Sequence, residues 1–197
     1  DEASKASSSK AYFGGGRRRG GMRNLPREGK TVAKSFRVNE KALEALQEEA
    51  SRQSISVNTL VNQLLIDYSE FGRFLQRVNA IRMSRKTFLE ILNVVPEDGL
   101  VKAALIAGKS APVAIIASKW GKMTVNTVLE FIHDLSAYAN LFEYYEKNEG
   151  ERWTVTLTHE LGPKWSTFLA NYLGEAFAAA GIQPKARASD RAVIFTF

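Results

Sequence analysis

Within ten residues of Thr31 the apolar pattern changes period, and that change constrains the fold more than any other feature of the chain. Val32, Phe36 and Val38 alternate with Ala33, Ser35 and Arg37, the two-residue period of a short strand, with Lys34 interrupting the apolar side. Asn39 then stands where a helix N-cap belongs, with Glu40 in the first turn. Ala42, Leu43, Leu46 and Ala50 follow at helical spacing on one face, and Glu44, Gln47, Glu48 and Arg52 lie outside it, giving a helix to about Gln53. A break at Ser54–Ile55–Ser56 lets Ser56 cap a second helix. Its buried stripe is Leu60, Val61, Leu64, Leu65 and Tyr68, continued by Phe71 and Leu75. One strand and two helices bury too little surface to stand alone, so this segment needs a second copy.

The segment from Lys34 to Tyr68, "KSFRVNEKALEALQEEASRQSISVNTLVNQLLIDY", resembles the ribbon-helix-helix DNA-binding domain of the Arc/MetJ/CopG type. The likeness covers about residues 31–75. It implies a homodimer whose strands pair antiparallel into a two-stranded ribbon that enters the DNA major groove. Strand alternation then turns Val32, Phe36 and Val38 to the dimer core and Ala33, Ser35 and Arg37 to the bases. Arg37 is the strongest specificity candidate, because a guanidinium pairs bidentately with guanine. Lys34 falls on the inward parity near the ribbon end, where its stem reaches a phosphate. The resemblance also implies phosphate contacts at the start of the second helix, from Ser56, Val57 and Asn58. A slip of one residue would exchange the strand faces and put Lys34 on the bases, but Phe36 and Val38 need burial and favour the first register.

Charge adds to this reading. The net charge is +6, and residues 1–38 hold ten Lys/Arg against three Asp/Glu, leaving seventeen against eighteen in the remainder. Residues 1–30, rich in Ser, Lys, Gly and Arg, read as a disordered basic arm, with Arg17, Arg18 and Arg19 as a cationic cluster for phosphates. A solubilising tail is the plain alternative. The chain has no cysteine, which excludes disulfides and thiolate chemistry, and two histidines cannot build a histidine-rich metal site. Neither an uninterrupted apolar run of membrane-spanning length nor a signal-type segment is evident. No cofactor or metal is expected, and no nucleotide-binding glycine motif appears.

Residues 71–150 read as mostly helical. Ser84 caps a helix that ends before Pro96, and further helices fall near 97–107, 111–119 and 124–146. Arg73, Arg77, Arg82, Arg85 and Lys86 are a solvated face or a border to DNA. Phe131, Tyr138, Phe142, Tyr144 and Tyr145 read as core and helix–helix contacts. Beyond them, Trp153, Val155 and Leu157 alternate with threonines as a strand, and a helix opens at Pro163 and ends at Gly181. "KARASDRAVIFTF" closes the chain as one strand or as a hairpin turning at Ser189–Asp190. His159, Trp165 and Ser166 cluster at the strand-to-helix junction as a candidate effector site, with ordinary junction packing as the competing account.

The chain therefore reads as α+β and mostly helical. It has a basic arm (1–30), a ribbon-helix-helix DNA-binding and dimerisation domain (31–75), and a C-terminal domain (76–197) with a helical middle and a small α/β unit bearing an open sheet. The expected function is a homodimeric, sequence-specific transcriptional regulator on double-stranded DNA, associating further on DNA, in a prokaryotic cytoplasm at the nucleoid. No catalytic residue is assigned. Rival readings are an architectural DNA-binding protein without strong sequence preference, an antitoxin or adaptor for a protein partner, and an enzyme built around His159.

Overall fold

Asn39 starts the first helix as its sequence position predicts. In the computed structural model, which describes residues 31–150 and 152–197, the Asn39 side chain accepts from the Ala42 amide at 3.3 Å and opens α1, Glu40–Gln53. Residues 38–197 form one compact unit. Ser54 ends α1 in the left-handed region (φ 57°), and the Ile55 amide returns to the Ala50 carbonyl at 3.0 Å. Ser56 caps α2, Val57–Asp67, by accepting from the Thr59 amide at 3.0 Å.

The helix does not stop at α2. A π-helical turn, Tyr68–Gly72, carries it into α3, Arg73–Arg77, so it crosses position 75, where the sequence suggested a domain boundary. After a coil, Ser84 caps α4, Arg85–Val94, and Pro96 separates it from α5, Glu97–Trp120. α6 is Val125–Ala139 and α7 is Pro163–Ala179. The sheet is built from β1 (Glu143–Glu149), β2 (Arg152–Thr158), β3 (Lys185–Ala188) and β4 (Ala192–Thr196) in the order β1-β2-β4-β3, all neighbours antiparallel. The architecture is α+β and mostly helical, and the closing segment is the hairpin rather than the single strand.

Two sequence expectations are corrected, and a third is not met in the single chain. The strand at 32–38 is not formed: residues 31–39 have no regular secondary structure, and Val32, Phe36 and Val38 are 81%, 69% and 53% exposed. A strand needs a ladder partner, and this segment has none among the described residues. The two helices split around Pro112 are one 24-residue helix. Leu100, Ala104, Gly108 and Pro112 recur every fourth residue as its buried stripe, extended by Ile115 and Ile116, and packing on that stripe outweighs the missing proline N–H. Gly108 lies where a Cβ would come within 2.5 Å of the Tyr172 carbonyl of α7. By length and composition alone α5 could cross a membrane, but its buried stripe belongs to this core.

The helix expected to run to position 146 ends at Ala139. Asn140 takes the left-handed conformation (φ 53°) that terminates helices, and from Glu143 the chain pairs with β2 instead. Phe131 and Phe142 are buried and Tyr138 stacks on Phe71 at 5.6 Å, as core contacts should, whereas Tyr145 is 57% exposed on the strand.

The core lies between one face of the sheet and α7. Val155 and Leu157 of β2 and Val193 and Phe195 of β4 are fully buried, together with Leu173, Ala176 and Phe177 of α7. Phe177 packs on Phe195 and Phe197 with ring centroids 5.3 and 5.1 Å away. Threonines 154, 156 and 158 alternate with these residues and point to the other face, which makes the sheet open on one side.

Candidate nucleic-acid interface

Strand alternation assigned base contacts to Ala33, Ser35 and Arg37 and a phosphate contact to Lys34. All four side chains are exposed, and no hydrogen bond or ion pair engages Arg37 or Lys34 among the described residues. Arg17, Arg18 and Arg19 lie outside the described residues. At the start of α2, Ser56 and Asn58 are exposed and Val57 is half-buried. The Ser56 hydroxyl takes the Thr59 amide and shares a hydrogen bond with Thr59 Oγ1 at 2.8 Å. That leaves the amides of Val57 and Asn58, in the first turn, without a partner among the described residues. Such amides point along the helix axis and suit an anion.

The apolar residues around these polar groups are exposed. α1 buries only Ala50 and α2 only Leu60. Leu43, Leu64, Leu65 and Tyr68, all on the stripes that the periodicity marks for burial, are 39–53% exposed.

Three of the distal cations have local partners. Arg73 and Arg77 lie over the Phe74 ring at 4.6 and 5.3 Å. Arg77 also donates to Ser118 Oγ, and Arg85 to the Asn140 carbonyl. Arg77 and Arg85 thereby tie the α3 and α4 regions to α5 and the end of α6.

The structure brings the junction residues His159, Trp165 and Ser166 together. His159 is 8% exposed and Ser166 1%. The Leu161 amide donates to His159 Nδ1 at 3.2 Å, so in the neutral ring the proton sits on Nε2 and is donated to Ser166 Oγ at 2.9 Å. A ring that donates to the serine does not act as a base towards it, so this pair is not arranged as nucleophile and base. Burial pushes the His159 pKa down, which favours the neutral ring. Trp165 stacks on Phe168 and meets Phe88 edge-on, each at 5.1 Å, and its Nε1 finds no hydrogen-bond partner among the described residues. Lys164 donates to the carbonyls of Asn93 and Val95 at 2.8 and 2.6 Å, fastening α7 to the end of α4.

Two further residues escaped the sequence reading. Lys119 of α5 forms an ion pair with Asp134 of α6 at 2.8 Å, with only 12% and 8% of the side chains exposed. The same ammonium donates at 2.6 Å to the carbonyl of Glu70 in the π turn. Burial raises the Asp134 pKa, against the opposing pull of Lys119. A single Lys and a single Asp fifteen residues apart carry no sequence signal, because only the packing of α5 on α6 brings them together. No cluster of metal-binding side chains is present among the described residues. Neither a protein-family model nor a curated protein nor a solved structure matches this chain.

Proposed function

We propose that the chain is a homodimeric, sequence-specific DNA-binding transcriptional regulator of the ribbon-helix-helix type, acting at the nucleoid. The observation that carries the reading is the exposed apolar series Val32, Phe36, Val38, Leu43, Leu64, Leu65 and Tyr68. These residues repeat first the strand period and then the helix period, so the sequence marks them for burial, and one chain leaves them in water. Burying each such side chain is worth roughly 1.5–3 kcal/mol, a strong drive to association. In the proposed dimer, residues 32–38 of two chains pair as the ribbon and the helices of each chain cover those of the other. Arg37, Ser35 and Ala33 then face base edges, and the free amides of Val57 and Asn58 meet flanking phosphates. The basic segment 1–30 adds salt-dependent affinity.

The test is selection of genomic DNA fragments by the purified full chain at about physiological salt, where counterion competition suppresses loose binding. Enrichment of a short repeated half-site is the expected result. Salt-sensitive retention without enrichment would replace this reading by architectural binding, and no retention would leave the segment as a dimerisation device for a protein partner.

A further inference from the structure

The four-stranded sheet has two free edges, and they carry opposite charge. β1 holds Glu143, Glu146 and Glu149 against Lys147, while β3 holds Lys185 and Arg187 and no acid. All four residues of β3 are exposed, as is every residue of β1 except Tyr144. Lys147 and Glu149 pair with each other at 2.6 Å. Glu143 and Glu146 accept only from tyrosine or threonine hydroxyls, and no cation lies against either carboxylate among the described residues. Lys185 and Arg187 have no ion-pair or hydrogen-bond partner there either.

The topology makes these edges compatible. Three successive antiparallel pairings set β1 and β3 in opposite directions. A second copy displaced across the sheet therefore brings its β1 antiparallel to the β3 of the first, with both helical layers on the same side. The ladder also fixes the faces. Tyr145, Thr156, Ile194 and Arg187 share one row, and Lys147, Thr154, Thr196 and Lys185 the next. Glu143 and Tyr145 thus lie on the same face as Lys185 and Arg187, opposite the core. A register that places Arg187 across from Glu143 also places Lys185 across from the exposed ring of Tyr145, an ion pair beside a cation–π contact. Charges on edge strands ordinarily keep edges apart, but that protection works by like charge, and here the two edges that a displacement brings together attract.

We propose that β1 of one copy pairs with β3 of the next, joining copies of this chain head to tail through a continuous antiparallel sheet. Each copy offers one edge of each kind, so the contact is heterologous and extends an array rather than closing a pair. This contact does not rest on the DNA-binding reading.

Sedimentation velocity of the full chain over a concentration series, at low and high salt, tests it. The wild type grows beyond its base unit, and less so at high salt. Glu143→Lys with Glu146→Lys makes both edges basic, and Lys185→Glu with Arg187→Glu makes both acidic. Each double variant alone loses about tenfold or more in self-association, and an equimolar mixture of the two regains it. Circular dichroism melts confirm that both variants fold. A wild type that stays at its base unit, a variant that assembles like the wild type, or folded variants that fail to recover on mixing would each overturn the proposal. The mass of the base unit, one chain or two, reports separately on the ribbon dimer. Leu64→Glu shifts that mass without touching edge growth.

Discussion

Replacing Lys119 by methionine keeps the side-chain length and removes the charge. It leaves the Asp134 carboxylate buried without its cation and takes away the donor that holds the Glu70 carbonyl. Both partners are nearly enclosed, with 12% and 8% of their side chains exposed, so water cannot replace the lysine. Breaking such a pair from one side costs about 3–5 kcal/mol. Much of that cost is the stranded carboxylate, so Lys119→Met with Asp134→Leu should recover most of the loss, since an apolar pair of similar volume often matches a buried ion pair. The pH dependence follows from the sign of the Asp134 shift. Its folded pKa already lies above the ordinary carboxyl value of 3.8, chiefly through burial, with Lys119 pulling it down. A raised folded pKa gives stability that is fully present below the unfolded value and is lost as pH rises through the folded one. Without Lys119 that folded pKa climbs further, so the deficit of Lys119→Met should be smaller at about pH 5 than at pH 7. Urea unfolding at fixed protein concentration reads both quantities as differences from wild type. A single variant within about 1 kcal/mol of wild type at pH 7, or a double variant no more stable than the single, would refute the reasoning.

Other outcomes follow from the same geometry. Gly108→Ala should destabilise by about 1–3 kcal/mol, because its Cβ would meet the Tyr172 carbonyl at 2.5 Å and force α5 from α7; an unchanged melting temperature would show that the helices yield freely. His159, its folded pKa lowered from 6.5 by burial, contributes stability that is present above 6.5 and lost as pH falls through the folded value, so this contribution should weaken the wild type as pH falls below 6.5. His159→Gln should flatten that acid-side slope in a pH series of melts. Arg37→Ala should lose roughly 1–3 kcal/mol on the selected DNA site and relax preference at one base pair, measured by titration of specific and random duplex. Binding indistinguishable from wild type on both would remove Arg37 from the bases.

The sequence was most legible where a local chemical cause decides the structure. Asn39, Ser56 and Ser84 accept from backbone amides three residues on, so their helices begin where the residue type says they should. Pro163 and Gly181 bracket α7 for equally local reasons. The alternation of Trp153, Val155 and Leu157 gave β2 and its buried face. Reading failed where distant packing decides. Pro112 breaks helices by local rules, yet α5 continues through it because its buried stripe closes on the core. β1 reads as helix from Glu143 to Glu146 until β2 supplies an antiparallel partner. At the junction, residue types left a ligand site and ordinary packing both open around His159, and the hydrogen bonds of its two ring nitrogens, to Leu161 and Ser166, become visible only once β2 and α7 are in place.

The exposed apolar residues divide in a way that bears on association. Ile81, Met83, Ile91, Val94 and Ile106 are spread over a coil and two helices, as isolated surface hydrophobics normally are. Those from Val32 to Tyr68 instead follow two successive periods, and helices destined for water on all sides would not keep an apolar stripe. Among the described residues the sheet-face apolar side chains Val155, Leu157, Val193 and Phe195 are fully buried and give the stripe no cover. The dimer proposed above would answer both deficits at once: a second copy would give residues 32–38 a ladder partner and bring the matching stripe for α1 and α2. If the copies did not associate, Leu64→Glu would be neutral or stabilising; on this argument it abolishes the dimer and lowers stability together.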